Sequence, residues 1–401
     1  MGKSYFNKII FACLLFFTSL LLFNVSDVEA QMEAKNHSGK DLNLQTLDIP
    51  DRIARFVFDA GLDFEYPDAV RGIYVTGPSA GGAKMEGLTE LVESTDLNAM
   101  VIDVKEDHGN ISFEPHEDSP YADIAEPYIN DPRKMLEELQ EKNIYPIARV
   151  VVFKDNLLAE ERPDLSFQKN GEVWRNSRNE AFVNPFKKEV WEYNLEIAKM
   201  AAELGFQEIQ FDYVRFPEGF ENRDEELQYD EGEYADSEES NIKKRVSAVT
   251  DFVEYARQDL SDYDVDVSVD IFGYAATIEE SPGIGQNFSQ ISSNVDVISS
   301  MIYPSHWGPY FGIDKPDTEP YNIIDEYSKV ENKVLGALEE APVSRPWLQD
   351  FEAPWLYSGP TFQYGKAEVE DQIRALNDNG IKEYLLWNAT NNYTKGVDYT
   401  P

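Results

Sequence analysis

The sequence predicts a (β/α)8 TIM barrel, a closed ring of eight parallel strands surrounded by helices, as a single domain with a short N-terminal extension. From residue 70 onward, short runs rich in β-branched and aromatic residues alternate with longer segments whose apolar residues recur every three or four positions. Such alternation is typical of repeated strand–helix units. There are eight runs, the number of strands that closes a barrel. The runs are Val70–Gly77, Ala99–Asp107, Tyr145–Phe153, Glu208–Pro217, Asp266–Tyr274, Val297–Trp307, Pro346–Glu352 and Glu383–Asn388.

The segments between the runs carry the start and stop signals of helices. Asp131 and Pro132 supply an N-cap and a first-turn proline before Met135–Asn143, and Gly205 and Gly380 stand where helices should end. Apolar residues at helical spacing mark the faces that should pack on the barrel wall. The clearest faces are Trp191, Leu195, Ala198 and Ala202; Val246, Val249, Val253, Ala256 and Leu260; and Val369, Ile373 and Leu376.

The first thirty residues have the layout of a secretory signal peptide. Lys3 and Lys8 precede an apolar run over Ile9–Phe23, and the small residue Ala30 ends the segment. The run is shorter than the roughly twenty residues needed to cross a bilayer. We therefore expect a secreted or cell-surface protein with no stable membrane insertion after cleavage; an uncleaved N-terminal anchor is the alternative.

These signals divide the chain into a signal peptide over residues 1–30, an N-terminal extension over 31–66 and the barrel over 67–398. The single cysteine, Cys13, lies in the signal peptide, so the mature chain would have no thiol and must rely on a large packed core. We expect a monomer.

The composition is strongly acidic, which constrains the binding partners. The chain has 75 acidic and 35 basic residues, a net charge of -40. A field of that sign repels phosphate backbones, so nucleic-acid binding is not expected. A soluble surface suited to salt or alkaline surroundings is the simplest explanation, and a cationic partner is the alternative.

Carboxylates are concentrated at the predicted ends of the strands, where barrel enzymes hold their active sites. Successive side chains of a strand face opposite ways, and a charged group facing the helices would be costly, so Asp212 and Asp270 should both point into the barrel mouth. Glycoside hydrolysis needs two such carboxyl groups. We assign Asp212 as nucleophile, with Arg215 lowering its pKa, and Asp270 as acid/base. Asp350 and Glu352 are alternatives for the acid/base.

Each assignment has a structural alternative. Asp212 could instead be an ion-pair partner of Arg215 or Arg149, and Asp270 a structural hydrogen-bond acceptor.

Polar and aromatic residues near the strand ends are candidates for binding the sugar, because aromatic rings stack on its apolar face. Alternatively, Asp103 and Glu106 have structural roles, and Trp307, Trp355 and Trp387 simply cap the core. The candidates are Tyr74, Asp103, Lys105, Glu106, Arg149, Tyr213, Arg215, Tyr303, His306, Trp307, Trp387 and Asn388.

Five motifs in order resemble the bacterial "Putative glycosyl hydrolase domain" family over roughly residues 68–395. The resemblance implies a barrel distantly similar to alpha-amylase-type glycosidases, whose nucleophile is an Asp at the end of strand four and therefore matches Asp212. The acid in those enzymes is a Glu on strand five, where this sequence has Asp270. The motifs are Val70–Gly77, Ile209–Pro217, Met301–His306, Trp347–Phe351 and Leu386–Ala389.

A second functional class is a non-catalytic carbohydrate-binding barrel, which would keep the sugar-binding residues but lack a working acid. Schiff-base chemistry at Lys105 is disfavoured, because Glu106 and Asp107 should stabilise its ammonium form.

No metal or other cofactor is expected, since the four histidines show no ligand-pair spacing. The acidic stretch over residues 218–239 should be a solvated loop; calcium binding there is an alternative, although the stretch lacks EF-hand spacing. The histidines are His37, His108, His116 and His306.

Overall fold

A computed structural model describes residues 57–115, 122–356 and 360–401. Eight parallel strands form a closed ring, because each pairs with its neighbours along the chain and β8 pairs with β1. The predicted (β/α)8 barrel is confirmed. The predicted signal peptide lies outside the described residues. The strands are β1 Arg71–Val75, β2 Ala99–Lys105, β3 Tyr145–Val151, β4 Glu208–Asp212, β5 Asp266–Phe272, β6 Val297–Met301, β7 in two segments (Val343–Ser344 and Trp347–Gln349), and β8 Tyr384–Trp387.

Several strands end earlier than the sequence predicts. β4 ends at Asp212 rather than at residue 217, because Tyr213 adopts a left-handed backbone with φ of 52°. β6 ends at Met301 rather than at residue 307, because Pro304–His306 forms a 3₁₀ turn. The polar ends of both predicted strands therefore belong to loops above the barrel.

In the described residues, seven main helices connect successive strands and cover the barrel wall, and two shorter helices, Gly77–Ala80 and Asn156–Glu161, follow β1 and β3. The predicted caps are present: the Asp131 carboxylate accepts a hydrogen bond from the Lys134 backbone N–H at 2.9 Å, and Gly205 ends a helix with φ of 113°. Among the described residues, no helix is long and apolar enough to cross a membrane. The helices are α1 Lys84–Glu93, α2 Pro132–Glu141, α3 Lys188–Leu204, α4 Asn241–Leu260, α5 Phe288–Ser292, α6 Pro320–Leu335 and α7 Lys366–Asp378.

The cap at Asp131 gives a simple test of the helix assignment. Asp131→Ala leaves the first backbone N–H groups of α2 without this acceptor and is expected to lower the free energy of unfolding by about 1 kcal/mol. Urea unfolding measures the change. Asp131→Asn keeps a hydrogen-bond acceptor, so its free energy of unfolding should fall much less. An equal fall in both variants would contradict the capping role.

The apolar interior has two parts. The larger core lies between the strands and the helices, and a smaller cluster fills the barrel itself. Near the mouth, this inner cluster is largely aromatic, with Tyr74, Tyr303, Trp347 and Trp387 among its members. The aromatic layer forms the apolar floor of the site described below.

A buried ionic network lies at the opposite, N-terminal end of the barrel. The Arg345 guanidinium donates to both carboxylate oxygens of Glu208, at 2.8 and 2.7 Å, and to Glu383 at 2.8 Å. It also donates to the Tyr66 hydroxyl at 2.8 Å. Arg345 and Glu208 are fully buried. The end of the predicted N-terminal extension is thereby attached to the base of the barrel.

Candidate active site

A cavity of about 730 Å³ opens at the carboxyl ends of the strands. Its two sides differ in chemistry: apart from Asp270 on β5, the charged side chains come from β2, β3, β4 and their loops, and apart from Tyr213 after β4, the aromatic ones come from β5 to β8 and their loops. A sugar has hydroxyl groups at its rim and apolar C–H faces, so a cavity of this composition suits it. The charged lining residues are Asp107, Arg149, Arg178, Glu180, Asp212, Arg215, Glu218 and Asp270; the aromatic ones are Tyr213, Phe272, Tyr274, Tyr303, His306, Trp307, Tyr310, Trp347 and Trp387.

Asp212 is buried at the end of β4 and is held by a guanidinium. Arg149 on β3 donates to its Oδ2 from Nε at 3.0 Å and from Nη2 at 2.6 Å. The Tyr213 backbone N–H donates to Oδ1 at 2.6 Å, a bond made by the residue whose φ is 52°. Left-handed backbone at a non-glycine residue costs roughly 1–3 kcal/mol and is found preferentially at functional sites. Both carboxyl oxygens of Asp212 therefore accept hydrogen bonds at the mouth of the barrel.

Asp270 is the neighbour of Asp212 on the adjacent strand. Phe211 and Val269 are paired in the sheet, and the two aspartates follow them by one residue. The Trp347 indole N–H donates to Asp270 Oδ1 at 2.7 Å. Burial, and secondly the charge of Asp212, raise the pKa of Asp270 well above its usual range. Two adjacent carboxyl groups thus lie in different surroundings, Asp212 paired with a guanidinium and Asp270 with a pKa raised by burial.

Arg149 is the central cation of the cavity. It also forms ion pairs with Asp103 at 2.7 Å and Asp107 at 2.8 Å, and it lies 5.2 Å from the Trp387 ring centroid. Burial raises the pKa of Asp103 to about 6 against the opposing effect of Arg149. Burial also acts to raise the pKa of Asp107, but Arg149 and Lys154 outweigh it and lower that pKa to about 2. Of these two aspartates, only Asp107 lines the cavity, and its low pKa means that it is ionised at neutral pH.

The cation that pairs with Asp212 is Arg149, and not Arg215 as the sequence suggested. The chain leaves the strand at Tyr213, which carries Arg215 away from the Asp212 carboxylate. Arg215 instead approaches Glu218 at 3.4 Å and lies over the Tyr213 and Phe272 rings, at 4.6 and 4.7 Å from their centroids. It still lines the cavity.

Lys105 does not reach the cavity, because the register of β2 against β3 shifts between Asp103 and Lys105. This bulge turns the lysine toward the helices, where it is fully buried, pairs with Asp155 at 2.7 Å and donates to Asn194. Burial lowers its pKa, whereas the sequence predicted a stabilised ammonium. The neighbouring Glu106 accepts from the Asn110 backbone N–H and also lies outside the lining.

Three further predicted site residues lie outside the lining. Asp350 is buried and accepts two hydrogen bonds from Thr394, at 2.9 and 2.5 Å. Asn388 donates to the Asp350 carbonyl at 2.6 Å, and Glu352 is exposed. The geometry therefore favours Asp270 over Asp350 and Glu352 as the partner of Asp212.

The predicted aromatic residues converge on the cavity. Tyr303, His306, Trp307 and Trp387 line it, and Tyr74 supports Trp387 from behind in a stacked contact with ring centroids 4.0 Å apart. The Tyr74 hydroxyl donates to Asp103 at 2.5 Å. Both Tyr74 and Asp103 thus position lining residues without lining the cavity themselves.

Sequence reasoning missed several lining residues. Trp347 lies near the start of the predicted strand Pro346–Glu352, whereas the candidates were taken from strand ends. Asp107 ends the second predicted strand but was not among the candidates for binding the sugar. Arg178 and Glu180 come from the long loop after β3, where no periodic pattern indicates direction.

The acidic stretch over residues 218–239 is paired with basic side chains. Glu231 contacts Lys244 at 2.7 Å, and Asp224 contacts Arg245 at 3.0 Å. Within the described ranges, no group of three or more His, Cys, Asp or Glu side chains is arranged to hold a metal ion. Cations of the chain itself therefore balance part of this charge.

Comparison with known proteins gives both a family and a fold. No curated protein matches the chain. A hypothetical protein from Ruminiclostridium thermocellum is 31% identical over 49% of this chain and 96% of its own, with a TM-score of 0.42. The glycoside hydrolase domain of PgaB (BpsB) from Bordetella bronchiseptica is 15% identical over 80% of this chain and 94% of its own, with a TM-score of 0.54. The latter likeness shows a shared fold.

A family model described as "Putative glycosyl hydrolase domain" matches residues 72–393. Because that match spans most of the chain, this protein belongs to the "Putative glycosyl hydrolase domain" family.

Proposed function

We propose that the protein is a secreted glycoside hydrolase that uses Asp212 as nucleophile and Asp270 as acid/base. The observation that carries the proposal is that two adjacent carboxyl groups line the mouth of the barrel in different surroundings. Arg149 donates two hydrogen bonds to Asp212, as suits an ionised nucleophile, while burial raises the pKa of Asp270, as suits an acid. A glycosidase needs one group of each kind at the scissile bond.

The reaction proceeds in two balanced steps. Asp270 donates its proton to the glycosidic oxygen as the bond from that oxygen to the anomeric carbon breaks, and Asp212 forms a covalent ester at this carbon. Asp270, now a carboxylate, takes a proton from water, whose oxygen attacks the anomeric carbon and releases Asp212. Both carboxyl groups return to their starting states.

The positions of the two groups support retention of configuration. Retaining glycosidases have carboxyl groups about 5–5.5 Å apart, and inverting ones about 6.5–9.5 Å apart. Asp212 and Asp270 follow paired residues on neighbouring strands, whose backbones lie about 4.8 Å apart. NMR of the first product's anomeric proton tests this; release of the inverted anomer would contradict Asp212 as nucleophile.

Export supports a polymeric substrate outside the cell. The layout of residues 1–30 is that of a signal peptide. Bacterial exopolysaccharides and cell-wall glycans are therefore the substrates to test first.

The deciding experiment is to incubate the mature protein with a panel of purified exopolysaccharides and solubilised cell-wall glycans, and to measure new reducing ends. Cleavage of a panel member supports the proposal. Binding without cleavage, unchanged across the catalytic pH range, would instead indicate a carbohydrate-binding barrel. A protein that neither cleaves nor binds any member would contradict both functions.

The pH dependence of cleavage should report Asp270. Because the acid must be protonated, kcat/KM should be high below the Asp270 pKa and fall as pH rises through it. The Trp347 hydrogen bond favours the charged form and so lowers this pKa. In Trp347→Phe, the fall of kcat/KM on the alkaline side of the pH profile should therefore occur at higher pH. The value of kcat should fall about fivefold to tenfold, since one hydrogen bond contributes about 1–1.5 kcal/mol.

Trp387→Phe is the matched control, because it changes another cavity indole but leaves the Trp347–Asp270 bond in place. The alkaline fall of kcat/KM in this variant should occur at the same pH as in the parent protein. An unshifted fall in Trp347→Phe would show that Asp270 is not the group that titrates.

A further inference from the structure

Trp355 is an exposed indole beside the mouth of the cavity, in the loop that follows β7. Its side chain is 63% exposed, the largest value among the exposed large hydrophobic residues of the described chain. It does not line the cavity. Two aromatic neighbours fix its position: Phe351, stacked at 6.4 Å and 23°, and His306, edge-on at 6.5 Å.

These neighbours connect Trp355 to the cavity through a continuous row of rings. Trp387, which lies over Arg149, is 6.4 Å from Tyr303. Tyr303 is in turn 5.2 Å from His306 and 5.7 Å from Phe351, the two rings that contact Trp355. The row thus runs from beside the charged wall of the cavity to the solvent-exposed surface.

A single sugar unit in the cavity would contact only the rings that line it, whereas the row continues beyond them to Trp355. Rings inside the barrel contribute to packing whether or not a ligand binds, but an exposed indole does not gain that burial. If a flat apolar surface of a ligand covered the indole, the indole would gain this burial on binding. The C–H face of a pyranose offers such a surface.

We propose that Trp355 forms an outer sugar-binding subsite, so that the protein binds an extended glycan chain rather than a single sugar unit. The proposal rests on the proposed function for the identity of the ligand as a glycan. The occupant of the Trp355 surface is another unit of the same glycan that enters the cavity, because the aromatic row is continuous between the two places.

The binding part can be tested without catalysis. In the Asp212→Asn background, calorimetry measures the affinity for maltohexaose, cellohexaose and chitohexaose, each beside its own disaccharide. At least one hexasaccharide should bind more tightly than its disaccharide. Trp355→Ala should lower the affinity for that hexasaccharide by about three- to tenfold, the scale of one aromatic stacking contact. The affinity for the disaccharide should stay unchanged.

Two further variants serve as controls. Trp355→Phe keeps a ring and should retain most of the affinity for the hexasaccharide. Tyr263→Ala removes a part-buried ring that packs on Phe58 before β5, at the opposite end of the barrel, and should have no effect.

Three results would overturn the subsite: equal affinity for long and short sugars, an unchanged hexasaccharide affinity in Trp355→Ala, or no binding of any of the six sugars. Failure of the proposed function is a separate result, because length-dependent binding can persist in a protein that cleaves no glycan of the panel.

Discussion

Replacing Asp212 by asparagine is expected to lower kcat/KM by at least about 10³-fold, the scale on which loss of a covalent nucleophile acts in hydrolases. Asparagine has nearly the same shape but cannot form the ester with the anomeric carbon. Arg149 keeps two other carboxylate partners, Asp103 and Asp107, so its charge remains balanced. Reducing-end assays on the cleaved panel member measure the effect, and circular dichroism checks the fold.

Asp107→Asn is the matched control. It also removes one carboxylate from Arg149 and also changes the cavity lining, yet it leaves Asp212 intact. A much smaller loss of activity is expected. Equal activity in Asp212→Asn and the parent, with the fold preserved, would exclude Asp212 as the nucleophile.

The second large effect concerns stability at the base of the barrel. Arg345→Met leaves the fully buried Glu208 without its cation, and breaking a buried pair in this way costs about 3–5 kcal/mol. The free energy of unfolding in urea should fall by that amount. Replacing both partners, as Glu208→Gln with Arg345→Met, should recover part of the loss, because the fully buried Glu208 charge is removed while Glu383 still loses its contact with Arg345.

An exposed ion pair provides the comparison. Arg257 contacts Asp296 at 2.6 Å, with the two side chains 46% and 32% exposed. Arg257→Met should cost less than about 1 kcal/mol. If Arg345→Met costs no more than this, the network at the base is not a major source of stability.

The barrel and the juxtaposition of Asp212 and Asp270 could be predicted from sequence because both depend on regular geometry. Eight apolar runs specify eight strands, and the period of two places alternate side chains on one face. Where the geometry is irregular, the prediction was wrong. The bulge in β2 turned Lys105 out of the cavity, and the left-handed backbone at Tyr213 ended β4 before Arg215.

Long-range pairing could not be decided from the sequence, which offered both Arg215 and Arg149 as ion-pair partners of Asp212. The ion pair of Asp212 joins β4 to Arg149 on β3, and the bond to Asp270 comes from Trp347, 77 positions away. Composition and spacing identify the carboxylates, but only the closed ring shows which cation and which indole reach them.

The attachment of Tyr66 to the base has a kinetic consequence. Its hydroxyl contacts Arg345 and Glu383, which lie 279 and 317 positions farther along the chain. Loop-closure entropy opposes such distant contacts, so we expect the β1–β8 junction and this contact to form late in folding. Until then, β1 presents an unpaired edge on which other chains can pair. Refolding yield should therefore decline as protein concentration rises, because intermolecular pairing competes with closure of the ring.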